Sequence, residues 1–386
     1  MKGPTGLRTS CAPGGERLAV PDLDCSERYA TLLNCGGHSL LFTRWEGSDG
    51  DGLAGFYWAT LLRTRPAKSG GPFSLPTVSL PSSWNMSHNA AFACGEEPGT
   101  VLAYGGRRRR WGWLNKPFEP GILRAVGHMT ETGGVHWERP ALVISPTRAS
   151  CREDRSSVER TCEFDGKLSL VPSFGGQQLL YARANLGASG GRHVQVSRST
   201  DGGLHWSPFE LLTIDGVTLR ADNNIYFFNA HLGRAQHGTQ LLGLMPAVLD
   251  GAGGVYLSSS SDGVAWSEPR RLLESEPLGE GRTVDHPVHG VGLDDASETQ
   301  TLRFYVQHSI ELGHGPRHDA WPYRPGLRRP CEQEGVEPFV CVYVAQLPPP
   351  SSAETPHGEE HARPRRHMRR GPRTELRLLR QRRPLH

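Results

Sequence analysis

Ser199-Thr-Asp-Gly-Gly-Leu-His-Trp206 decides how this 386-residue chain is read. A strand ends in serine, aspartate and glycine turn the chain, and tryptophan opens the next strand. The turn is local chemistry: aspartate accepts backbone hydrogen bonds and glycine takes positive φ. Ser260-Ser-Asp-Gly-Val-Ala-Trp266 repeats the unit one residue shorter. Thr130-Glu-Thr-Gly-Gly-Val-His-Trp137 repeats it with Thr132 in place of aspartate. The three tryptophans stand 69 and 60 residues apart. Each is followed by one or two polar residues and an apolar stretch, as in Ser207-Pro-Phe-Glu-Leu-Leu212. Self-similarity at such a period marks a repeat architecture.

A second repeat supports the first. Gly36-Gly-His-Ser-Leu-Leu-Phe-Thr-Arg44 matches Gly175-Gly-Gln-Gln-Leu-Leu-Tyr-Ala-Arg183 at an offset of 139, about twice the tryptophan spacing. Both read as a turn, then a buried strand ending in arginine. Glycine (47) and proline (30) are abundant, and short apolar runs alternate with turn residues. Such a pattern calls for many short strands. The expectation is an all-β chain folded as a single β-propeller. Blades run over about 24–80, 85–145, 162–215, 222–273 and 284–347, each a four-stranded antiparallel sheet around a central channel. Five blades rank ahead of six, which would need blades shorter than the observed spacing. The domains expected are an N-terminal extension over 1–23, the propeller over 24–347, and a disordered Arg/Pro-rich tail over 348–386.

Charge and composition narrow the partners. The chain carries 43 basic and 40 acidic residues, but ten of the arginines and only four of the glutamates lie in 351–386. The body is therefore net acidic by three. A folded domain that grips nucleic acid would carry the opposite sign. No stretch approaches the ~20 apolar residues that span a bilayer. Oligomeric state is not legible. Cys151 and Cys162 bracket one polar loop, Cys331 and Cys341 another. Two such brackets are expected to be loop-closing disulfides of a secreted or extracellular protein, against which stands the reading as reduced thiols. Met1–Asp24 holds no continuous apolar run, so no signal peptide is read there. No cysteine or histidine spacing suggests zinc, and no metal or cofactor is expected.

In a propeller the innermost strand of each blade lines the channel, and its start faces the mouth. Blade two opens with Ser87-His88-Asn89, and blade three with Cys162-Glu163-Phe164-Asp165-Gly166-Lys167. Blade four opens with Arg220-Ala-Asp222-Asn223-Asn224, and blade five with Arg282-Thr-Val-Asp285-His286. Glycoside hydrolysis needs two carboxyl groups across the scissile bond, one to protonate the leaving oxygen, one to activate water or attack carbon. Glu163, with Asp165 as its alternative, is expected as the acid, and Asp285 as base or nucleophile. Asp222 would tune or orient. Arg44, Arg183, His88, Asn89, Asn224 and His286 would hydrogen-bond sugar hydroxyls or a substrate carboxylate. Because Glu163-Phe164-Asp165 alternates, Phe164 would be core. Each assignment has a plainer rival: Asp222 in a simple turn, Asp285 as a strand-start cap. His136, His205, Asp201, Asp262 and the three tryptophans read as structural.

The tryptophan hairpins resemble those of the Asp-box proteins, chiefly the sialidase superfamily. The blade count is similar to that of five-bladed glycoside hydrolases such as arabinanases, xylosidases and invertases. The resemblance implies a glycosidase-like propeller with a carbohydrate substrate. The Phe/Tyr-Arg-Ile-Pro segment of sialidases and the Asn-Asp-Pro-Asn-Gly motif of invertases are both absent. The alternative is a non-catalytic propeller that binds a glycan or a protein through the same face, since one fold hosts many functions.

Overall fold

The computed structural model describes residues 11–21, 23, 27–48, 56–68, 71–80, 84, 86, 89–107, 121–145, 164, 166–187, 190–235, 238–274, 283–287, 301–311 and 339–346. All of them lie in one compact unit, Met1–Pro349. The arginine-rich tail is outside the described residues.

Among the described residues there are 24 strands and no α-helix. β1 (Glu16–Leu18) pairs with the last strand of the chain, not with its sequence neighbour. β2 (Glu27–Cys35), β3 (His38–Ser48), β4 (Phe56–Pro66) and β5 (Thr77–Val78) pair in sequence order, all antiparallel. β6 (Ala91–Cys94), β7 (Thr100–Arg107), β8 (Gly121–Met129) and β10 (Ala141–Ile144) form the second group, with β9 (Val135–Trp137) also on β8. β11 (Ser169–Phe174), β12 (Gln177–Gly187), β13 (Gly191–Ser199) and β14 (Glu210–Leu211) form the third. After β15 (Thr213–Ile214) and β16 (Asn224–Ile225) come β17 (Asn229–Ala235), β18 (Gly238–Leu249), β19 (Ala252–Ser260), β20 (Ala265–Trp266) and β21 (Arg270–Glu274). β17-β18-β19-β21 is the fourth run, and β16 joins it to the third in one nine-stranded sheet. β22 (Thr283–Pro287), β23 (Thr301–Glu311) and β24 (Phe339–Gln346) make the last sheet, which β1 completes in the order β1-β24-β23-β22.

The glycine pairs of the second repeat explain two hairpins. Gly36 and Gly37 have φ of 54° and 81°, Gly175 and Gly176 of 58° and 76°. Two successive positive-φ residues make the tight turn whose twist matches antiparallel strands. Each turn then launches a strand buried on both faces, because each group packs between two others. Phe42 and Leu40 meet Phe92 and Val101 between the first and second groups. Tyr104 meets Leu180 between the second and third, and Tyr181 meets Met245 between the third and fourth. Leu244 meets Phe304 and Tyr343 in the last group, and Val340 of that group returns to Leu32 and Leu41 of the first. The fold is thus all-β and propeller-like: sheets follow one another, and the last packs on the first.

Each tryptophan hairpin seals one of these interfaces. Trp137 packs 6.4 Å from Phe42, Trp206 5.6 Å from Tyr104, and Trp266 6.0 Å from Tyr181, each on the preceding group. In two hairpins the aspartate does what the sequence required. Asp201 Oδ1 accepts the N–H of Leu204 and His205, and Asp262 Oδ1 those of Val264 and Ala265. The His205 N–H and imidazole, with the Ser199 hydroxyl, hold Asp201 well below the usual carboxylate range. Where Thr132 replaces aspartate, its hydroxyl meets that of Thr130 at 3.0 Å instead.

One cysteine expectation is corrected. Cys341 is bonded to Cys11, not to Cys331. β1 lies beside β24, with Arg17 opposite Cys341, and this pairing brings Cys11, ahead of β1, to Cys341. Residues 16–18 complete the last sheet. A second disulfide, Cys35–Cys94, ties the end of β2 to the end of β6. Cys151, Cys162 and Cys331 lie outside the described residues. Disulfides persist in oxidising surroundings, and these two fit a secreted or extracellular setting. No helix of the described residues is long and apolar enough to cross a membrane.

Candidate functional site

The antiparallel order fixes two ends. In the third group β11 enters from the side of the β12–β13 hairpin, with Ser169 opposite Tyr181, and Ser199–Trp206 connects β13 to β14 at the opposite end. The tryptophan hairpins therefore lie at the end away from the one where β11 enters; that other end is the candidate mouth.

At the mouth, residues from four stretches of the chain meet. Arg44 on β3 lays its guanidinium 4.3 Å from the centre of the Tyr29 ring on β2. Arg183 on β12 and Arg192 on β13 lie 5.4 and 5.5 Å from the centre of the Tyr226 ring. The Tyr29 hydroxyl donates to that of Tyr226 at 3.2 Å, and the Tyr29 ring meets Phe227 edge-on at 5.5 Å. The two arginines of the 139-residue repeat thus reach one place, each on a tyrosine face. Both are buried, at 6% and 4% exposure. A guanidinium desolvated against an aromatic face gains about 2 kcal/mol.

The local backbone aims these groups. β2 has a bulge between Arg28 and Thr31, and Tyr29 sits at φ 56°, sparsely allowed for a non-glycine residue. Phe164 sits at φ 45° and Gly166 at φ 91°. Phe164 is core, 1% exposed and 5.5 Å from Phe209. Gly166 is pressed against the cluster: a Cβ there would lie 3.2 Å from the Tyr226 carbonyl oxygen and 3.3 Å from Arg183 Cβ.

Beneath the cluster, Lys167 is fully buried. Its Nζ donates to the Tyr29 carbonyl at 2.7 Å, the Ala30 carbonyl, and the Thr31 hydroxyl at 2.8 Å. Burial alone pushes its pKa well down. Two carbonyls and a hydroxyl surround it, and we take the ammonium, which can donate to all three, as the bound form. Burial and the Lys167 charge push His231 on β17 down to about 4, so that imidazole is neutral near pH 7. Two residues ahead of Tyr29, Glu27 accepts from both Arg63 Nη atoms at 2.6 Å and from the Thr43 hydroxyl, all buried. That carboxylate is committed to the scaffold.

The sequence candidates divide as follows. Arg44 and Arg183 come together. Asn89 is buried nearby, but its amide serves the backbone: Oδ1 accepts from Gly106 N at 2.9 Å and Nδ2 donates to the Phe164 carbonyl. Asn224 lies in β16, between Arg192 of β13 and Val248 of β18. Asp222 stands in an exposed turn, gripped by Arg220 Nη2 at 2.6 Å and Nε at 3.0 Å. The hydrogen bond to Arg220 lowers its pKa. Glu163, Asp165 and His88 lie outside the described residues, as do the side chains of Asp285 and His286, whose backbone forms part of β22. Tyr29, Tyr226, Arg192, Lys167 and His231 escaped the sequence reading. No repeat marks them, and the hydrogen bonds that join Tyr226 and Lys167 to β2 span 136 to 197 residues. Among the described residues no three histidine, cysteine or carboxylate side chains group as a metal site.

No family model and no curated protein sequence matches the chain. Solved structures resemble it in chain trace. An N-acetylgalactosamine deacetylase from F. plautii, in complex with blood group B trisaccharide, aligns over 86% of this chain and 94% of its own at TM-score 0.48 and 11% identity. The α-L-arabinofuranosidase PaAbf62A from Podospora anserina aligns over 85% and 93% at TM-score 0.47 and 9% identity. The Trypanosoma rangeli sialidase in complex with sialic acid aligns over 86% of this chain and 59% of its own at TM-score 0.45 and 12% identity. At these values none of them assigns a substrate to this chain.

Proposed function

We propose that the chain is a five-bladed propeller, with hairpins of the Asp-box kind, that binds a glycan at its mouth and hydrolyses a glycosidic bond. One observation carries this reading: the Arg44–Tyr29 and Arg183–Tyr226 pairs converge against Gly166, one peptide from Asp165. Aromatic faces take the apolar face of a sugar ring, and guanidinium N–H groups donate to its hydroxyls. The sequence alone ranks Glu163 first as the acid with Asp165 as its alternative; we take Asp165 first because its neighbour Gly166 packs against the cluster, and Asp285 at the start of the last group supplies the base or nucleophile. His88, His286 and Asn224 hold hydroxyls. Asn89 keeps the structural role that its hydrogen bonds describe. Asp222 takes no part in bond cleavage, because Arg220 holds its carboxylate in an exposed turn.

A panel of chromogenic glycosides tests this reading. Asp165→Asn and Asp285→Asn are expected to lose about a thousandfold in kcat/KM, in the range of positioned acid–base groups, and Asp222→Asn to stay near the parent. Equal activity in the parent and both mouth variants would sink the assignment. The removal of Asp222 from the carboxylate set favours one second reading, a non-catalytic glycan-binding propeller. Under it, no glycoside is cleaved, while glycan binding is present in the parent and lost in Arg44→Ala.

A further inference from the structure

Lys167 precedes β11 in the third group, yet its Nζ reaches β2 in the first group, 136 to 138 residues away. There it meets the carbonyls of two consecutive residues, Tyr29 and Ala30. A regular strand points successive carbonyls in opposite directions. Only the bulge between Arg28 and Thr31, with Tyr29 at φ 56°, turns both toward one point. The Thr31 hydroxyl adds a third oxygen at 2.8 Å. Three oxygens around one fully buried point form a cradle for a small cation.

We infer that the β2 bulge is a cation site of primary-ammonium type which the chain fills with its own Lys167, and that this contact positions the mouth. The ammonium holds the Tyr29 backbone in its unusual conformation. The Tyr29 ring in turn carries Arg44 on its face and binds the Tyr226 hydroxyl. The same contact anchors Gly166, which Lys167 follows directly. Lys167 is thus a positioning residue that acts through Tyr29. Only the link from this positioning to catalysis rests on the glycosidase reading.

The test is chemical rescue on the full chain. Lys167→Ala empties the cradle, and its Tm and tyrosine near-UV circular dichroism are measured in methylammonium chloride and in equal sodium chloride. A fall in Tm of about 5 °C or more is expected, on the scale of orphaned buried hydrogen-bonding groups. Methylammonium should recover at least about half of it, together with the parent tyrosine signal, as one ammonium replaces another at the same three acceptors. Identical curves in the two salts overturn the inference. If Lys167→Ala does not fold, Thr31→Val serves: it keeps the shape and removes one acceptor. A Tm lower by about 2 °C or more with an altered tyrosine signal supports the cradle, and a chain unchanged in both overturns it. Neither readout needs a substrate, so failure of the glycoside panel leaves this result standing. If a substrate is found, methylammonium should also restore its turnover by Lys167→Ala.

Discussion

The two ends of this molecule are built by opposite means. At the far end, two tryptophan hairpins close on themselves: in one, Ser199 bonds Gly203, Asp201 bonds His205, and the Trp206 indole bonds the Gly203 carbonyl; the Trp137 indole donates instead to Ser79 of the first group. At the mouth, Tyr29, Lys167 and Tyr226 come from different groups, and their contacts span 136 to 197 residues. A local device can be copied along a chain, and this one occurs twice in full and once with threonine in place of aspartate. A site assembled from several groups has no sequence period and occurs once. The far end should therefore carry stability, and the mouth chemistry.

The largest effects on stability should come from what both ends need, an intact interior. Arg63→Ala leaves the buried Glu27 carboxylate without its partner and should cost about 3–5 kcal/mol, read as a lower urea midpoint. Trp266→Ala should cost a similar amount, about 3–5 kcal/mol, because its ring fills the interface between Tyr181 and Phe228. Either variant within about 0.5 kcal/mol of the parent would break the packing side of the comparison.

This division explains what could be read from sequence. Asp201, Asp262 and the three tryptophans were legible because turn chemistry is confined to a few consecutive residues. Arg44 and Arg183 were legible through the repeat that carries them. Tyr29 was not, because its role comes from a bulge, and nothing in Glu27-Arg-Tyr-Ala-Thr31 forecasts one. Lys167 lay among candidate acids and carried no role of its own in sequence; only its reach to β2 makes it internal. Asp222 failed the other way: a strand-start aspartate in sequence, it sits two residues from an arginine that takes both its oxygens.

Acid should find the mouth before it finds the hairpins. His231, pushed down to about 4 by burial and by the Lys167 charge, lies below its ordinary 6.5. The unfolded chain therefore takes up the proton first as pH falls below 6.5. Stability is retained above that value and lost toward pH 4, by up to about 3 kcal/mol. Burial lowers His193 as well, which acts in the same direction. Tm measured from pH 7 to pH 4 should fall less steeply in His231→Gln. An unchanged slope would remove His231 from the account. The smallest effect belongs to the hairpins' serines. Ser199→Ala orphans the buried Gly203 N–H and should cost about 1 kcal/mol, with no change at the mouth.

The claim that the two ends divide the work is tested most directly by measuring kcat/KM and Tm together for Asp165→Asn and Ser199→Ala on a cleaved glycoside. The account predicts that Asp165→Asn loses about a thousandfold in kcat/KM with Tm within about 2 °C of the parent. It predicts that Ser199→Ala keeps its kcat/KM and loses a few degrees, about 2–4 °C. Full activity in Asp165→Asn, or a collapse of activity in a folded Ser199→Ala, would contradict it.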